Sequence, residues 1–357
     1  MSVLTVDKTL APWGELNDIP WTGILVGNGA SCAVWHGFRY KSLYDQSCSA
    51  EMTTRLTAEA VRIFEALETH NFELVQSALK ITSLVTQALG QNPATVEGLY
   101  LEIQNALVEA VKSVHIPWRN IPEDNLRAIK QGLLPYEFVY STNYDLILYW
   151  SIMLDGPLGF TDYFFAPRFD LGNTEIWGKV TKVLFLHGGL HLYRELSGET
   201  IKRKAQPCQN LLDLFGTPLE PSAVSLFISE GSWRDKLKSV YRSDYLSFAY
   251  SQFAKHRGPL VVFGQSLTAD FDGHLIEAIR KSEAKILAIS LLPGADVPTS
   301  KARFYGAFPN MDLHFFDATT HPLGAADLCV PEETTAVNAG AAPVGGPSLA
   351  QLWSEHS

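Results

Sequence analysis

The sequence predicts an α/β protein, in the form of a Rossmann-like, doubly wound parallel sheet with a helical insertion. Three observations favour this class. Several short apolar runs end in glycine or polar residues, as buried parallel strands do. A helical segment lies between two of these runs, which is the order of a βαβ unit. A long helical region separates the first run from the second.

Each predicted strand is a short apolar run that ends in a turn signal. Four of them are GILVGNG from Gly23, EFVYSTNYD from Glu137, KVLFLHGG from Lys182 and PLVVFGQS from Pro259. A fifth, KILAISL from Lys285, follows the helical segment FDGHLIEAIRKSEA. A strand, a helix and a strand in this order predict parallel strands joined by a crossover helix.

A helical insertion is predicted over residues 55–130, because this region is too long for one crossover helix. Its apolar side chains recur near the helical period at Phe72, Leu74, Ala78, Ile81, Val85 and Leu89. Further helices are predicted over about 96–114 and 122–131. Residues 1–54 and 131–322 then form the sheet domain. Residues 323–357, rich in alanine, glycine and proline, are predicted to be a flexible tail.

The composition argues against nucleic-acid and membrane binding. The 357 residues include 28 Lys or Arg and 38 Asp or Glu, a net charge of −10, whereas nucleic acid needs a basic face. The one dense basic run, Lys202 to Lys204, is interpreted as a solvated loop. The chain has no membrane-length apolar run, and MSVLTVDKTLAPWGE at its start lacks a signal-peptide pattern. We therefore expect a cytoplasmic protein.

No metal site is expected. The cysteines are far apart and form no C-x-x-C pair; they are Cys32, Cys48, Cys208 and Cys329. His187 and His191 have the i, i+4 spacing of a zinc pair on a helix. However, Gly188 and Gly189 between them are poor helix residues, and no acidic residue stands where H-E-x-x-H has one.

The polar ends of the strands form the candidate site, because ligands of open α/β sheets bind beyond the carboxyl ends of the strands. These ends are Gly27-Asn28-Gly29-Ala30-Ser31, Ser141-Thr142-Asn143-Tyr144-Asp145, His187-Gly188-Gly189 and Gly264-Gln265-Ser266. Each also has a purely structural interpretation: a tight turn for the glycines, helix capping for Asn143 and Asp145, and a satisfied core histidine for His187. Four such ends at one edge favour a ligand site more than any one does.

Taken in order, these motifs resemble the sirtuin-like family, especially its NAD-consuming branch in prokaryotic antiviral defence. The resemblance spans about residues 20–320. GNGAS is similar to the glycine loop G-A-G-x-S, STNYD to T-x-N-x-D, LHG to the catalytic-histidine motif and FGQSL to the G-T-S-L strand end. GFRY, with Phe38 and Arg39, is a looser match to P-D-F-R, whose proline and aspartate are missing here. The family's glycine loop lacks the third glycine of G-x-G-x-x-G, so Cys32 at that position is compatible with NAD binding.

The resemblance implies a site with NAD+ as its substrate. It places Asn143, Asp145 and Thr142 at the ribose and nicotinamide end, with Phe38 and Arg39 over the nicotinamide. The catalytic set is Asn143, His187 and Asp145: Asn143 orients water on the ribose, His187 accepts a proton, and Asp145 orients Asn143 or contacts the carboxamide. The remaining binding residues are Gly27, Asn28, Gly29, Ala30 and Ser31 at the pyrophosphate, Gly188 beside His187, and Gly264 and Ser266 at the adenosine. Asp270 and Asp272 are interpreted as helix caps, with adenosine contacts as the alternative.

Two reactions fit a sirtuin-like site, lysine deacylation and cleavage of NAD+, and the cysteine pattern distinguishes between them. Family deacylases carry a zinc module of two C-x-x-C pairs, whereas the segment between TNYD and FGQS contains only Cys208. We therefore expect an NAD+ hydrolase that releases nicotinamide and ADP-ribose, as the NAD-depleting effector of an anti-phage, abortive-infection system. An NAD or ADP-ribose sensor without catalysis and a deacylase remain alternatives. A Rossmann oxidoreductase requires an acidic residue at the end of the next strand, about 20 residues after the glycine loop. Asp45 lies near that distance, in YKSLYDQS, which does not resemble a strand end.

The resemblance also bears on partners, because uncontrolled NAD+ hydrolysis would kill the cell. We expect a homo-oligomer that assembles through the helical insertion, or gating by a partner protein. Members of the family occur with a hexameric translocase-type ATPase, with a short Argonaute, or as self-assembling units.

Overall fold

The computed structural model describes residues 7–195, 197–204, 211–214, 224–229, 231–294 and 296–331. Seven strands form one sheet in the order β10-β9-β8-β1-β2-β4-β3, and every pair in it is parallel. The strands are β1 Gly23–Val26, β2 Phe138–Ser141, β3 Phe160–Thr161, β4 Thr181–Phe185, β8 Leu260–Phe263, β9 Ile286–Leu291 and β10 Asp312–Asp317. A parallel sheet flanked by helices confirms the predicted Rossmann-like α/β fold.

All five predicted strands are present, and β3 and β10 are additional. β3 has two residues, too few for a periodic signal. β10, DLHFFD, begins with an exposed aspartate and buries only its two phenylalanines fully. It pairs on one side only, with β9, so it does not resemble a strand with both faces buried.

The strand order reverses at β1. From β1 the chain passes to β2 and β4 on one side and later returns to β8 on the other side. The ends of β1 and β8 therefore form a topological switch point, where the crossover connections diverge and leave a crevice.

Eleven α-helices connect and cover the strands within the described residues. They are α1 Asn28–Val34, α2 Tyr40–Ser47, α3 Ala58–Ala66, α4 Phe72–Ala88, α5 Ala94–Val114, α6 Glu123–Leu133, α7 Ile147–Met153, α8 Trp233–Val240, α9 Asp244–Ala254, α10 Ala269–Lys281 and α11 Val297–Ala307. Several begin at a side chain that accepts a backbone N–H of the first turn, among them Asn71 before α4, Ser232 before α8 and Ser243 before α9. None of the described helices has the length and apolar character that crossing a bilayer requires.

The predicted insertion consists of α3, α4, α5 and α6, and it is tied to the chain that precedes it. Trp35 Nε1 donates to the carbonyl of Val114, 2.7 Å away, at the end of α5. The Glu109 carboxylate accepts the backbone N–H groups of Thr53 and Thr54 at 2.9 and 2.6 Å. These bonds fix α5 next to the segment that follows β1 and α1.

The buried face of α4 differs from the predicted one. Its buried residues are Phe72, Val75, Gln76, Leu79 and Ser83. Three residues of the predicted apolar stripe are exposed instead: Ile81, Val85 and Leu89 are 60%, 53% and 69% accessible. α4 carries two apolar stripes, and the one that packs contains polar residues, with Ser83 Oγ donating to Glu97 at 2.9 Å. The helical periodicity of apolar residues therefore predicted burial for a stripe that is exposed to solvent over much of its length.

A second, antiparallel sheet lies between β4 and α8 in the chain and was not predicted. It contains β5 Gly188–Arg194, β6 Thr200–Lys202 and β7 Val224–Phe227, in the order β6-β5-β7. The interpretation of the basic run as a solvated loop is wrong for its first two residues. Lys202 is buried at the end of β6 and pairs with Asp162 at 2.7 Å, and Arg203 is also buried.

The packed part of the chain continues past the predicted boundary at residue 323. Leu323, Leu328 and Val330 are buried in the core. Val330 donates its N–H to the carbonyl of Val34 at 2.9 Å. The tail boundary was therefore placed too early, and the rest of the predicted tail, 332–357, lies outside the described residues.

Candidate functional site

The strand ends singled out in the sequence lie at one edge of the sheet. β8, β1, β2 and β4 are consecutive neighbours, and all four run in the same direction. Ser141 pairs with Phe185 in the register of β2 and β4, so Asn143 and His187 each lie two residues beyond the last pair. The candidate site therefore spans the switch point and the two strands beside it.

A chain of hydrogen bonds joins the first and second strand ends. Ser31 Oγ donates to Asp145 Oδ2 at 2.5 Å, and Asn143 Nδ2 donates to Ser31 Oγ at 2.7 Å. All three side chains are buried. Because the one hydroxyl hydrogen of Ser31 goes to Asp145, Ser31 can only accept from Asn143, and this fixes the orientation of the amide.

The fixed amide leaves one acceptor free. Asn143 Oδ1 is buried and has no hydrogen-bond partner among the described residues. A buried polar atom without a partner is costly, and such atoms in native structures call for an explanation. Asn143 does not cap a helix through this oxygen, so the capping interpretation fails for this residue.

Asp145 has both of the roles considered for it. Its Oδ2 accepts from Ser31, and its Oδ1 accepts the N–H of Ile147 at the start of α7, at 2.9 Å. Burial raises the pKa of this carboxyl, while the bonds from Ser31 and Ile147 lower it. Asp145 thus caps α7 and anchors the hydroxyl that orients Asn143.

His115, at the end of α5, supports the same turn. Its Nδ1 donates to the carbonyl of Ile116 at 2.8 Å, and its Nε2 accepts the N–H of Leu146 at 2.9 Å. Burial lowers its pKa to about 4, which keeps the ring neutral and Nε2 able to accept. The insertion therefore contributes directly to the position of Asp145.

The glycine loop makes close contact with the end of β8. The N–H of Gly27 donates to Phe263 O, that of Gly29 to Gly264 O and that of Ala30 to Gly27 O, at 2.8 to 3.0 Å. A Cβ on Gly29 would lie 2.7 Å from the Gly264 Cα, and Gly264 itself has φ +66°. These glycines are explained by loop packing. Three of the five N–H groups predicted for a pyrophosphate, those of Gly27, Gly29 and Ala30, are paired within the protein.

Cys32 occupies the position of the missing third glycine. Its thiol lies beside the site, since burial, Asp145 and Arg39 all act on it. Burial, together with the negative charge of Asp145, raises its pKa to about 11, so the group stays a thiol. Asn28 Nδ2 contacts its sulfur at 3.5 Å and donates to the carbonyl of Phe38 at 3.1 Å.

Gln265 connects the second strand end with α10. Thr142 Oγ1 donates to Gln265 Oε1 at 2.9 Å, and Gln265 also bonds the carboxyl of Asp272. Burial raises the pKa of Asp272, whereas Lys236 lowers it. Asp272 also accepts the N–H of Thr268 at 3.2 Å, so its predicted capping role is present, within the site.

His187, at the end of β4, faces a second histidine. Its Nε2 lies 2.8 Å from Nε2 of His274 on α10, and both rings are buried. Burial lowers the pKa of His187 well below its usual range, and nearby His274 and Lys236 lower it further. His187 is therefore neutral near pH 7, as a proton acceptor must be. His191, whose i, i+4 spacing from His187 was judged unsuited to a zinc pair, lies on β5 with its ring against Tyr149 and Phe185.

A buried charge beside this histidine pair comes from Lys236 on α8. It forms an ion pair with Glu73 of α4 at 2.5 Å. Lys236 acts electrostatically on His187, His274 and Asp272, so it lies among them. The insertion thereby supplies the counter-charge beside the histidine pair.

Four predicted binding residues are less central. Phe38 is buried with its ring edge-on to His115 at 5.1 Å, and Arg39 and Ser266 are exposed to solvent. Gly188 has φ +76°, and a Cβ there would lie 2.1 Å from Leu226 O, so the packing of β7 requires this glycine. Asp45 lies in α2 and pairs with Lys41 at 2.7 Å, not at a strand end.

A cleft of about 1160 Å³ lies at the opposite edge of the sheet. It is lined by residues at or before the amino ends of the strands, among them Trp21, Tyr136 and Thr181. None of the predicted site residues lines it. Open α/β sheets bind their ligands at the carboxyl ends of the strands. We therefore assign the candidate site to the carboxyl-end edge and not to this cleft.

No cluster of three or more histidine, cysteine or acidic side chains suited to a metal occurs within the described part of the chain. Cys208, the one cysteine between TNYD and FGQS, lies outside that part. The site as described is built from amide, hydroxyl, imidazole and carboxyl groups.

Fold and site together define an α/β protein with a polar, largely buried site at the switch point of a parallel sheet. The chain belongs to the family described as a domain of unknown function, DUF4917, whose sequence model matches residues 24–323. No curated protein matches the sequence. The match covers every strand of the large sheet, with β1 matched from its second residue onward.

Several residues of the site were not assigned a role from the sequence. Gln265 lies inside the motif FGQS, and His274 lies five residues after Ala269, where α10 begins, so local signals existed for both. His115, Lys236 and Glu73 carry no motif and reach the site only through tertiary packing of α5, α8 and α4.

Proposed function

We propose that this protein hydrolyses NAD+ to nicotinamide and ADP-ribose. The observation that carries the proposal is Asn143: a buried amide, held in one orientation by Ser31 and Asp145, with a free acceptor oxygen. A neutral, buried histidine, His187, ends the adjacent strand. The resemblance of the four ordered motifs to sirtuin-like NAD sites supplies the substrate.

The reaction needs few groups. The bond that breaks joins C1′ of the ribose to a positively charged pyridinium nitrogen, and the bonding electrons leave with nicotinamide, which becomes neutral. No general acid is required for this leaving group, in contrast to sugars that expel an alkoxide. Water forms the new bond to C1′ and loses a proton.

The side chains match these steps. The free oxygen of Asn143 can accept a hydrogen from the water or from a ribose hydroxyl and fix its direction, which is catalysis by orientation. His187, neutral at pH 7, takes the proton that is released. Buried dipoles stabilise the cationic, oxocarbenium-like transition state more strongly than water does.

The experiment follows nicotinamide and ADP-ribose by chromatography after NAD+ is added to purified protein, with and without cell extract and without acylated peptide. We expect both products in equal amounts from wild type and at least about a hundredfold less from His187→Ala, because a general base contributes ~10²–10⁴ to the rate. The variant is purified identically, so it also measures contaminating hydrolases. Equal rates in both preparations contradict the site. Tight NAD+ binding without turnover would instead support a sensor, and dependence on acylated peptide a deacylase.

We further propose that activity is gated by self-association through α4. Four exposed side chains, Ile81, Leu84, Val85 and Leu89, follow one another at helical spacing, and each is more than half accessible. Residues 81–96 contain no charged side chain. In a two-fold dimer the same surface of each copy meets, so this stripe would pack against itself. Because the stripe contains no charged side chain, this contact removes no ionised group from water.

Val85→Glu is expected to dissociate the oligomer, because it places an unpaired charge in the contact. We expect wild type to sediment as an oligomer at micromolar concentration, and Val85→Glu to raise the dissociation constant at least about tenfold, or ~1.4 kcal/mol. Leu171→Glu is the matched control, since Leu171 is equally exposed but lies far along the chain from α4. A wild-type protein that sediments as a monomer would contradict self-association, and a partner such as a translocase-type ATPase or a short Argonaute would then be the proposed gate.

The proposed cellular role is depletion of NAD+ during phage infection, on the strength of the sirtuin-like resemblance. Cellular NAD+ is expected to fall after infection in cells that carry the wild-type gene, and to stay constant in cells that carry the His187→Ala form.

A further inference from the structure

His274 is the one imidazole in contact with His187 among the described residues, and the proposed reaction assigns it no role. Their Nε2 atoms lie 2.8 Å apart, and the ring planes are 24° from parallel with centroids 5.0 Å apart. Both side chains are at most 3% accessible. The backbone of His274 is held in turn, since its carbonyl accepts from the Tyr250 hydroxyl at 2.9 Å.

The short contact constrains the protons of the pair. A hydrogen bond between two Nε2 atoms contains one hydrogen, so one ring donates and the other accepts. Burial lowers the pKa of both rings, and nearby Lys236 lowers them further, so both are neutral near pH 7. Each neutral ring carries one N–H proton, and in this contact the two rings must carry it on different nitrogens: one on Nε2 and the other on Nδ1.

We propose that His274 is a positioning residue that accepts a hydrogen bond from Nε2–H of His187 and so leaves Nδ1 of His187 as the base. This inference rests on the proposed function, because a base needs a free lone pair. If the shared hydrogen belonged to His274, the Nδ1 atom of His187 would carry a proton and could accept none. The arrangement corresponds to a base that a third group orients, here an imidazole in place of a carboxylate.

The reaction strengthens this contact. When Nδ1 of His187 takes a proton from water or a ribose hydroxyl, the ring becomes an imidazolium and its Nε2–H bond to His274 becomes charge-assisted. No other proton has to move. Stabilisation that appears only as charge develops lowers the barrier and leaves ground-state binding unchanged.

This assignment leaves one buried atom of His274 unpaired. If His274 accepts at Nε2, its own proton lies on Nδ1, and that atom is buried without a hydrogen-bond partner among the described residues. An unpaired buried N–H destabilises the folded protein and is rare where packing alone decides. It is explained here as the cost of keeping the lone pair of His187 free. The other groups around the pair are Lys236 with its partner Glu73, Asp272 and Tyr250.

Three substitutions of His274 distinguish orientation from packing. Gln places an amide oxygen near the position of Nε2 and can still accept from His187. Asn reaches only the position of Nδ1, and Leu fills the space without an acceptor. We expect kcat for NAD+ hydrolysis to fall ~10–100-fold in His274→Asn and His274→Leu, with KM changed less than threefold, and to stay within about threefold of wild type in His274→Gln. A His274→Gln protein as inactive as the other two, or three active variants, would overturn the proposal.

A measurement independent of activity tests the protons directly. Long-range ¹H–¹⁵N spectra of histidine-labelled protein report which ring nitrogen carries hydrogen, and the His187→Ala and His274→Gln spectra assign the two rings. We expect His187 protonated on Nε2 and His274 on Nδ1, and the reverse pattern would overturn the proposal. If wild type hydrolyses no NAD+, the proposed function fails while these spectra still decide whether His274 accepts from His187.

Discussion

Replacing Asn143 with alanine is expected to lower kcat for NAD+ hydrolysis by roughly 10²–10³, the range for loss of one preorganised polar group at a reacting centre. The structural reason is the orientation of the amide: Ser31, anchored by Asp145, accepts from its nitrogen at 2.7 Å and leaves Oδ1 free for water or ribose. Stability should change little. The substitution removes one buried acceptor that has no partner, and leaves Ser31 with one bond fewer.

The measurement pairs initial rates of nicotinamide release with the free energy of unfolding in urea. For Asn143→Ala we expect the large loss of rate together with a free energy of unfolding within about 1 kcal/mol of the wild-type value. Ser31→Ala is the matched comparison, because it keeps Oδ1 but frees the amide to rotate, and it should lose less activity than Asn143→Ala. A wild-type rate in Asn143→Ala would exclude this residue from catalysis. A loss of rate accompanied by a large loss in the free energy of unfolding would show that its role is structural.

The second large effect is loss of folding at mildly acidic pH. Six buried histidines among the described residues have a pKa below the usual value, in each case chiefly because burial disfavours the charged form. The pKa is about 4 for His115 and His256, about 3 for His191, His274 and His321, and well below the usual range for His187. The unfolded chain therefore binds more protons than the folded protein once the pH falls below ~6.5.

This difference in bound protons sets the direction and the size of the change in the free energy of unfolding with pH. Stability is at its full value above pH ~6.5 and is lost as the pH falls toward the folded values. At pH 5 each buried histidine costs about 2 kcal/mol, so six together cost on the order of 10 kcal/mol, which is comparable to the whole stability of a typical domain. Asp145, Asp244 and Asp272 act in the opposite direction, because their pKa is raised.

We therefore expect cooperative unfolding near pH 5, followed by circular dichroism and tryptophan fluorescence. His191→Phe tests the cause, since this ring lies between Tyr149 and Phe185 with both nitrogens unpaired among the described residues. It should lower the pH of the transition. Phe185→Leu is the control: it lowers stability at every pH by a similar amount and leaves the pH dependence unchanged. A transition below pH 3.5 in wild type would contradict the assigned burial of these rings.

The sheet could be predicted from the sequence because buried parallel strands leave a strong local signal. GILV, LVVF and the other apolar runs are compact and end at glycine or polar residues, and all five are strands in the structure. The same signal placed Asn143, Asp145 and His187 at a common edge. Once strand order is fixed, the residues that follow neighbouring strands must lie close together.

The supporting residues could not be predicted, because nothing local marks them. Lys236 is one of many lysines in the sequence, and its burial becomes evident only when α8 packs beside α4 and Glu73. His115 ends a helix far from the strand motifs and reaches Leu146 through the tertiary fold. The contacts of the glycine loop could not be predicted for a related reason: the β8 end that approaches these glycines lies 235 residues away along the chain.

The two insertion residues that reach the site, Glu73 and His115, link its geometry to that of α4 and α5. A shift of α4 separates Glu73 from Lys236 and leaves an uncompensated positive charge beside His187, where it opposes protonation. A shift of α5 withdraws His115 from Leu146, next to Asp145. Under the proposed function, we therefore expect a molecule that binds the outer face of the insertion and moves these helices to change the affinity of the site for its ligand, NAD+. By reciprocity, the ligand changes the affinity of the outer face by the same factor.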